Sequence, residues 1–570
     1  MPPKYSRELS EPIAFGPRLK EQFRTSPCEA ACPAGNSIQK MQALAEKGDF
    51  TEGLRYLLAK NPFPGITGRV CPHFCMDQCN RENLEGCVNT RALERACADN
   101  AQNGAIKFKN RPDTGKKVAI IGGGPAGLTS AYFLRLLGHN VTIYESAPLL
   151  GGIPRYGVPN FRLPRDVVDR EVGMVLDTGV RARVNTKVGV DITLQEIKDR
   201  NDAVIIATGL PKENSLPIPG AEKAVKAMEF LYEAAMGLRG KDAKIPVGKT
   251  VVVMGGGGVG FDCAFVAKRL GAENVHIICL EKEGEMRAPA DDLALAAKEG
   301  IHIHPSCTMS GIRVENGKVT GVDYYEVLNC KFDEKGRLTL EPKPNGEHEL
   351  ACDTVIFAVG MKPDLDFLGE NAAGLELGPR GWIKVNEMQG ATEPGIFAAG
   401  DISAGPASIA RAIGDGRRAA FAAHAWLTGE KARVYAFNQD NMLEPRDDLA
   451  GLVDPYIVPF EEIYGVSQYE KVLPQQERVN NCAKSFAELN MGLDVAEAMV
   501  EASRCMHCGH CKACGSCVED CPGYVLAMTT FGESERPNVE FGDECWHCAN
   551  CRTSCPTGAI GFVFPLRMQV

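Results

Sequence analysis

The sequence predicts an α/β fold with a small cysteine-rich domain at each end. Two glycine-rich stretches lie in the middle of the 570-residue chain, each after an apolar strand-like run and before a helical one. The cysteines gather elsewhere: of 23, seven lie before residue 100 and ten after residue 504. A chain of this length can form several separately packed domains. The two kinds of segment therefore indicate domains with different chemistry.

Composition excludes several classes of function. The net charge is −10 and no basic block stands out, which argues against nucleic-acid binding. The first residues lack the apolar stretch of a secretory signal. The longest uncharged stretch, 118–134, is interrupted by four glycines and a proline, so no membrane span is predicted. We expect a cytoplasmic protein, in which clustered cysteines bind metal rather than form disulfides.

The C-terminal cysteines repeat one pattern twice. The run C-x2-C-x2-C-x3-C-P occurs at 511–522 and again at 545–556. Two such runs are typical of a two-cluster ferredoxin, in which the fourth cysteine of each run binds the other cluster. The predicted ligands of one [4Fe–4S] cluster are Cys511, Cys514, Cys517 and Cys555. Those of the second are Cys545, Cys548, Cys551 and Cys521.

Two readings of this region stay open. Zinc is the alternative metal, although it more often takes two C-x2-C pairs separated by a longer loop. Cys505 and Cys508 fall outside the count of eight ligands, and spacing leaves them as spare thiols or alternative ligands.

The first glycine-rich stretch predicts a dinucleotide site. In "KKVAIIGGGPAGLTSAYFLRLLGHNVTIYE" the glycines of the G-x-G-x-x-G motif are Gly122, Gly124 and Gly127, and a second strand ends at Glu145. The first two glycines permit close approach of the backbone to a pyrophosphate, and the third permits close packing of helix and strand. The helix N-terminus then favours the phosphates, and the acid can bind a ribose.

The same pattern recurs at 249–282, with Gly255, Gly257 and Gly260 and a second strand that we expect to end at Leu280 and Glu281. Two dinucleotide sites in one chain suggest a flavin and a nicotinamide in two Rossmann-like domains. A carboxylate at the end of the second strand repels a 2′-phosphate, so Glu281 favours NAD(H) over NADP(H). The nearby Arg287 acts in the opposite direction.

Further segments resemble one family. "GGIPRYGVPNFRLP" (151–164), "VIIATG" (204–209), "VIFAVG" (355–360) and "GIFAAGDISAGPASIARAIGDGRRAA" (395–420) are similar to the NAD(P)H-oxidising small subunit of glutamate synthase and the related N-terminal half of dihydropyrimidine dehydrogenase. The resemblance implies FAD at the first site and a nicotinamide at the second. It places Asp401 on the ribityl chain and the helix after Ser408 near the isoalloxazine. It also assigns cofactor binding to Gly152, Arg155, Gly209, Gly360 and Gly400. NADPH-using members of the family carry two arginines where this chain has Leu280 and Glu281.

The N-terminal cysteines occupy a segment with helical periodicity. They are Cys28, Cys32, Cys71, Cys75 and Cys79. Resemblance implies iron–sulfur binding here too, but relatives with two clusters have an extra C-x2-C upstream, where this chain has "KEQFRT". We therefore expect one cluster, which the resemblance assigns to Cys32, Cys71, Cys75 and Glu94.

Other thiols are left open by the sequence. For Cys28 and Cys79 there are three alternatives: pairing with each other, binding the single cluster, or remaining free. Cys87 and Cys97 receive no role. In the middle of the chain the cysteines are isolated in sequence, which disfavours thiol–disulfide exchange; these are Cys263, Cys279, Cys307, Cys330 and Cys352.

The expected organisation has five parts. They are a helical iron–sulfur domain (1–112), a FAD domain (113–245 and 390–432), an inserted NAD(P)H domain (246–389), a linker (433–500) and an α+β ferredoxin domain (501–570).

The expected function is electron transfer from NADH through FAD and [4Fe–4S] clusters to a partner redox enzyme or soluble ferredoxin, in a hetero-oligomeric complex. One alternative is the reverse direction, with NAD reduced by reduced ferredoxin or a 2-oxoacid oxidoreductase and with possible electron bifurcation. A glutamate synthase small subunit or a sulfite-reductase-linked flavoprotein is another.

Overall fold

The computed structural model describes most of residues 24–561. The gaps are 103, 238–246, 287, 333–337, 432, 434, 446–455, 467–468, 481–484, 532–533, 541–543 and 547. Arg287, considered above for nucleotide choice, therefore lies outside the described residues. The chain forms two compact units: the first takes its described residues from 1–109, 431–477 and 492–570, and the second from 110–430 and 478–491.

The first unit begins with a short strand and a set of helices. They are β1 (Arg24–Thr25), α1 (Pro27–Ala31), α2 (Ile38–Ala45), α3 (Phe50–Leu58), α4 (Pro64–Val70), α5 (Phe74–Asp77) and α6 (Thr90–Asn100). Side chains cap several helix starts: the Ser26 hydroxyl accepts the N–H of Glu29 before α1, and the Asn89 side chain accepts the N–H of Ala92 before α6. The apolar faces of α2, α3 and α6 form one buried core, as the helical periodicity predicts.

The second unit alternates strands and helices. Its strands are β2 (Lys117–Ile121), β3 (Asn140–Tyr144), β4 (Arg181–Arg183), β5 (Ala203–Ile206), β6 (Lys212–Glu213), β7 (Val225–Lys226), β8 (Thr250–Met254), β9 (Asn274–Ile278), β10 (Ile301–His304), β11 (Cys307–Glu315), β12 (Lys318–Phe332), β13 (Leu338–Ala351), β14 (Thr354–Phe357), β15 (Met361–Lys362) and β16 (Ile396–Ala398). Its helices are α7 (Pro125–Leu136), α8 (Ile153–Tyr156), α9 (Arg165–Asp177), α10 (Leu194–Arg200), α11 (Ala227–Gly237), α12 (Gly258–Arg269), α13 (Ala290–Lys298), α14 (Asp401–Ala404) and α15 (Ile409–Thr428).

Two parallel sheets organise these elements. One has the strand order β16-β5-β2-β3-β4, and the other β10-β9-β8-β14-β7. In each sheet the central strand, β2 or β8, pairs in parallel with two neighbours and leads into a glycine-rich loop. Both central strands are apolar and buried, as parallel sheets covered on both faces require. The antiparallel strands β11, β12 and β13 form a third sheet.

The first unit is completed from the C-terminal part of the chain. Its remaining elements are β17 (Tyr435–Phe437), β18 (Leu443–Pro445), β19 (Tyr456–Ile457), α16 (Val495–Ser503), α17 (Ser516–Glu519), β22 (Leu526–Phe531), β23 (Ser534–Val539) and α18 (Asn550–Thr553). The strand β20 (Arg478–Val479) and the first two residues of β21 (Asn490–Gly492) belong to the second unit. β22 and β23 pair as an antiparallel hairpin, and β19 pairs in parallel with β1.

Helix α16 starts inside the segment expected to be a linker. The Asp494 and Glu497 side chains form a capping box at its N-terminus. Its buried residues Ala498 and Ala502 lie in the same apolar core as α2, α3 and α6. The residues just before the C-terminal cysteines thus pack with the N-terminal helices. In the described ranges, no helix has both the length and the apolar character needed to cross a bilayer.

Candidate cofactor sites

The first glycine-rich loop leaves no room for side chains at its two ends. Gly122 follows β2 with φ of +107°, and a β-carbon there would lie 2.3 Å from the Ala207 carbonyl oxygen. A β-carbon on Gly127, in the first turn of α7, would lie 2.0 Å from the Gly122 carbonyl oxygen. Gly124 is the N-cap of α7, so the free N–H groups of that helix start inside the motif. The motif therefore brings strand, loop and helix start close enough to hold a pyrophosphate.

Glu145 lies directly after β3, beside this loop. Its Oε2 accepts the N–H of Gly123 at 2.7 Å, and its Oε1 accepts the N–H of Ala147 at 2.7 Å. These bonds fix the carboxylate at the edge of the loop, where the side chain is only partly buried. A carboxylate held there can still accept hydrogen bonds from ribose hydroxyls, since each of its oxygens has two lone pairs.

The segment after Glu145 closes over the loop. A β-carbon on Gly152 would lie 2.7 Å from the Gly124 Cα, so the two backbones are in contact. Three residues later, the buried Arg155 pairs with Asp169 at 2.6 Å and donates to the Leu150 carbonyl. Arg155 thus connects its own loop to α9 through its Nε and Nη1 groups. Gly209, after β5, has φ of +63° and open space where a side chain would be.

The remaining residues assigned to the first site lie on α14 and α15. Gly400 precedes α14, and a β-carbon there would lie 3.0 Å from Cβ of Ala126 in α7. Asp401 opens α14, and burial raises the pKa of its carboxyl to about 6. Ser408 caps α15 by accepting the N–H of Arg411 at 3.1 Å. The structure therefore brings the start of α14 beside the start of α7.

Sequence reasoning missed Gly416 in the middle of α15. A β-carbon there would lie 2.3 Å from the Ala126 carbonyl oxygen. The contact lets α15 cross α7 at close range, and Ser130 of α7 donates to the Gly416 carbonyl at 2.9 Å. A glycine inside a long helical pattern was the available signal.

The second loop repeats the geometry of the first. Gly255 has φ of +129°, and a β-carbon there would lie 2.3 Å from the Ala358 carbonyl oxygen. A β-carbon on Gly260 would lie 2.1 Å from the Gly255 carbonyl oxygen, and Gly257 is the N-cap of α12. Gly360, after β14, has φ of +92°. The two motifs are thus equivalent in backbone geometry.

The acidic residues of the two loops are not equivalent. In each loop the N–H of the first glycine donates to the carbonyl of the last residue of the following strand. Gly122 donates to Tyr144 and Gly255 to Ile278, both at 2.8 Å. Cys279 therefore takes the place of Glu145, and Glu281 comes two residues later. Its Oε2 still reaches the loop, lying 3.0 Å from where a β-carbon on Gly256 would be.

A partly buried ion cluster links the segment after the first loop to the helices of the second loop, within the second unit. Arg162, which precedes α9, pairs with Asp262 of α12 at 2.5 Å and with Asp292 of α13 at 2.8 Å. Sequence analysis missed this contact because its members are far apart in the chain. It fixes the segment after the first loop against the helix that begins in the second.

The C-terminal cysteines surround one cavity of about 340 Å³. All eight predicted ligands line it: Cys511, Cys514, Cys517, Cys521, Cys545, Cys548, Cys551 and Cys555. Its walls also include apolar side chains such as Val525, Leu526 and Ile560. All eight are free thiols in a space with apolar walls, which fits the iron–sulfur clusters that the spacing predicts.

The thiols fall into two sets. Burial raises the pKa of Cys517 to about 12, and the thiols of Cys555, Cys511 and Cys514 add to the shift. Cys555 of the second run thus lies with the first run. In the other set, burial raises the pKa of Cys551, and the thiols of Cys545, Cys521 and Cys548 add to it.

Within the described ranges, no group of three or more His, Cys, Asp or Glu side chains closes on a single metal ion. In a cubane, each thiolate binds a different iron.

The N-terminal thiols Cys32, Cys71 and Cys75 lie near Glu94. Burial, followed by the charge of Glu94, raises the pKa of Cys71 to about 12. Burial is the main cause that raises the pKa of Cys75, and the charges of Cys32 and Cys71 raise it further. Glu94 is buried, which raises the pKa of its carboxyl to about 7. The structure thus brings together the four residues that the resemblance assigns to one cluster.

Three hydrogen bonds orient the Glu94 carboxylate. Its Oε1 accepts from Asn36 at 2.9 Å, from Asn61 at 3.0 Å and from Thr67 at 2.7 Å. Gly68 lets α4 approach α6 closely, because a β-carbon there would lie 2.5 Å from the backbone nitrogen of Arg95.

Cys28 and Cys79 belong to a different neighbourhood. Both are free thiols, and the thiols beside Cys28 are those of Cys505 and Cys79. Spacing alone gave Cys505 and Cys508 no role, because their neighbours lie at the other end of the sequence.

Three known families match different parts of the chain. The pyridine nucleotide-disulphide oxidoreductase family matches residues 116–416. The 4Fe-4S cluster domain called domain II in dihydropyrimidine dehydrogenase matches residues 21–106, and a 4Fe-4S dicluster domain matches residues 510–559.

Several curated proteins are similar over most of the chain. The NADP(+)-dependent formate dehydrogenase subunit beta of Moorella thermoacetica is 34% identical over 526 residues, which are 85% of this chain and 71% of that one. The NADPH-Fe(3+) oxidoreductase subunit beta of Geobacter sulfurreducens is 32% identical over 523 residues, 85% and 75% of the two chains. The glutamate synthase [NADPH] small chain of Escherichia coli (strain K12) is 32% identical over 450 residues, 74% and 93%.

Fold, loops and cysteine-lined cavity together define an FAD- and iron–sulfur-dependent NAD(P)H oxidoreductase that serves as an electron-transfer subunit. The chain belongs to the pyridine nucleotide-disulphide oxidoreductase family. The predicted fold class and the resemblance to the glutamate synthase small subunit are confirmed.

Proposed function

We propose that this oxidoreductase takes electrons from NADH and delivers them to a partner redox enzyme or a soluble ferredoxin, as one subunit of a hetero-oligomeric complex. The observation that carries the proposal is the presence, in one chain, of two equivalent dinucleotide loops and a cavity lined by eight thiols. Bound FAD supplies the conversion of a hydride's electron pair into the single electrons that iron–sulfur clusters accept. The similar formate dehydrogenase and Fe(3+) oxidoreductase chains are both named as beta subunits, which supports a partner.

The first loop is assigned to FAD. Gly122, Gly124 and Gly127 bring backbone and helix start to the pyrophosphate, and Glu145 accepts from the adenosine ribose. Gly152 keeps the following segment against the loop, and the ion pair of Arg155 with Asp169 stabilises that segment. Further along the cofactor, four residues are assigned to the flavin half: Gly209 after β5, Gly400 and Asp401 at the start of α14, and Ser408 at the start of α15.

The second loop is assigned to NADH. Gly255, Gly257 and Gly260 bind the pyrophosphate, and Gly360 lies at the end of the neighbouring strand β14. The similar proteins named above carry NADP(+) or NADPH in their names. The preference for NADH rests on Glu281, whose carboxylate lies beside the loop where a 2′-phosphate would bring more negative charge.

The clusters are assigned as the sequence predicts. One C-terminal cluster takes Cys511, Cys514, Cys517 and Cys555, and the other Cys545, Cys548, Cys551 and Cys521, in line with the two sets of neighbouring thiols. An N-terminal cluster takes Cys32, Cys71 and Cys75, with Glu94 as the fourth ligand. The hydrogen bonds to Oε1 hold the Glu94 carboxylate in place. A carboxylate ligand changes the net charge of a cluster and hence its potential.

Anaerobic kinetics test the direction and the nucleotide. We expect faster dye reduction with NADH than with NADPH, and bleaching of the iron–sulfur absorbance by NADH before any acceptor is added. Equal or faster rates with NADPH would contradict the nucleotide assignment. NAD reduction by reduced ferredoxin at a higher rate than the forward reaction would favour the reverse function. Anaerobic co-purification identifies the partner and separates the glutamate synthase and sulfite reductase alternatives. Cytoplasmic location stays a prediction.

A further inference from the structure

Four thiols from opposite ends of the sequence are neighbours in the first unit. Burial raises the pKa of Cys28, and the thiols of Cys505 and Cys79 add to the shift. Burial raises the pKa of Cys505, with contributions from Cys508 and Cys79. For Cys508, burial raises the pKa to about 11, and Cys79 again adds to it. Such charge effects weaken with distance, so each thiol lies beside at least two of the others.

Direct contacts hold the segment 504–510 against the N-terminal helices. The buried Gln39 side chain of α2 donates to the Cys508 carbonyl at 2.8 Å. His510 Nε2 lies 3.1 Å from a carboxylate oxygen of Glu29 in α1. The side chain of Arg81 donates to the Arg504 carbonyl at 2.9 Å, across 423 residues of sequence. These bonds place the C-x2-C pair next to the Cys28 and Cys79 thiols.

Arg504 is the centre of a second set of contacts. Its side chain is fully buried, and it donates to the carbonyls of Gly86 at 2.5 Å and Cys87 at 2.9 Å. It also pairs with Glu501 at 2.6 Å, and Glu501 in turn accepts the N–H of Asn89 at 2.7 Å. A buried arginine with its donors satisfied in this way fixes the backbone just before Cys505.

The surroundings suit a cluster. Cys505 and Cys508 are each only 7% exposed. The N–H of His507 donates to the Cys505 sulfur at 3.4 Å, and the Cys28 thiol lies 3.1 Å from the Ser26 hydroxyl. Hydrogen bonds to sulfur and burial are the means by which proteins tune iron–sulfur potentials.

We propose that Cys28, Cys79, Cys505 and Cys508 hold a further [4Fe–4S] cluster, whose missing N-terminal C-x2-C is supplied by the segment before the ferredoxin runs. The proposal deepens the proposed function and rests on it. It also explains the spacing of the N-terminal cysteines. Cys28 and Cys32 lie four residues apart at the two ends of α1, and each helps to form a different site, as do Cys75 and Cys79.

The proposed site lies between the other two groups of thiols. It shares α1 with the Cys32, Cys71 and Cys75 group. On the other side, Cys508 is three residues from Cys511, so the two sites are joined by at most about 10 Å of backbone. The first unit then holds a continuous series of cluster sites.

Iron content tests the proposal on the full chain, prepared anaerobically and reconstituted with iron and sulfide. With about four irons per cluster, we expect about sixteen irons per FAD, against about twelve without the proposed site. The alanine variants at positions 28, 79, 505 and 508 should each lose about four irons and the same EPR signal. FAD content and NADH-to-dye activity should remain.

Two controls make the test specific. Cys87→Ala removes a thiol that lies near Cys79, and Cys330→Ala removes an exposed thiol on β12; both should keep full iron content. A count of about twelve irons in the wild-type chain with normal FAD would overturn the proposal and leave the proposed function intact. The proposal would also be overturned if Cys505→Ala and Cys517→Ala removed the same EPR signal. Absence of FAD or of NADH-to-dye activity would instead refute the proposed function. The iron content of the wild-type chain tests the proposal even if a variant fails to fold.

Discussion

The carboxylate of Glu145 accepts a 2.7 Å hydrogen bond from the N–H of Gly123, whereas the carboxylate beside the second loop comes from Glu281, two residues further along its own connection. Both carboxylates border a loop that approaches a nucleotide. In the second loop the equivalent N–H is that of Gly256, and the described contacts include no hydrogen bond from it to Glu281. The second acid therefore acts mainly through its charge.

That charge gives the first prediction. Glu281→Arg should raise the ratio of kcat/KM for NADPH over NADH by tenfold or more, about 1.4 kcal/mol, because arginine attracts the 2′-phosphate that glutamate repels. Steady-state dye reduction with both nucleotides measures the ratio. Glu283→Arg, an exposed position two residues on, is the matched control and should leave the ratio near that of the wild type. An unchanged ratio in Glu281→Arg would count against the site assignment.

The third glycine of the second loop gives another prediction. In Gly260→Ala the new β-carbon meets the Gly255 carbonyl oxygen at 2.1 Å, so β8 and α12 have to separate. We expect the KM for NADH to rise at least tenfold while the FAD absorbance is kept. Gly173→Ala in α9, where nothing lies within 4 Å of the added carbon, should behave as wild type. Normal NADH kinetics in Gly260→Ala would exclude this loop as the nicotinamide site.

The crossover of ligands between the two ferredoxin runs can be tested by EPR. Cys517→Ala and Cys555→Ala should remove the same cluster signal, although they belong to different runs, and Cys521→Ala should remove the other one. NADH-to-dye activity should remain largely intact in all three variants. The prediction fails if Cys555→Ala and Cys551→Ala share a lost signal instead.

A buried histidine pair predicts a loss of stability in mild acid. His139 Nε2 lies 2.8 Å from His424 Nδ1, and burial, followed by the charge of His424, lowers the pKa of His139 to about 4. The charges of Asp113 and Asp202 raise the pKa of His139, and the charge of Lys116 lowers it. An unfolded histidine has a pKa of about 6.5, so between these values the unfolded chain binds more protons. Stability is therefore complete above about pH 6.5 and falls as the pH drops towards 4, by at most about 3 kcal/mol.

His139→Gln should reduce this loss. The measurement is the difference in Tm between pH 7.5 and pH 5.5, followed by FAD fluorescence. Gly173→Ala in α9, which introduces no titratable group and has open space for the added carbon, is the control and should show the wild-type difference. A difference that His139→Gln leaves unchanged would show that the acid sensitivity lies elsewhere.

Local patterns predicted most of the fold. The two loops were predictable because strand, glycines and helix follow one another within about thirty residues, and the C-terminal group of thiols because x2 spacing brings cysteines together. The division of that group into two ligand sets stays a prediction. Exact offsets were harder. Cys279, and not Glu281, occupies the position of Glu145, since the strand β9 ends at Ile278.

Contacts between distant segments could not be predicted. Nothing in the sequence near Cys505 shows that Arg504 is buried against the carbonyls of Gly86 and Cys87. Cys279 and Cys307 likewise look isolated in sequence, but they are neighbouring buried thiols in the second unit. Such neighbours are set by tertiary packing, which spacing does not encode.

The thiols of the first unit also become available at different times during synthesis. Cys32, Cys71, Cys75 and Glu94 all emerge from the ribosome within the first hundred residues, so the nascent chain carries that set early. Cys28 and Cys79 emerge with them, but their neighbours at 505 and 508 follow only after the entire nucleotide-binding region has been translated. For most of its synthesis the chain therefore presents two thiols without their counterparts, and under the proposed assignment that group can take up iron only after residue 508 has been translated.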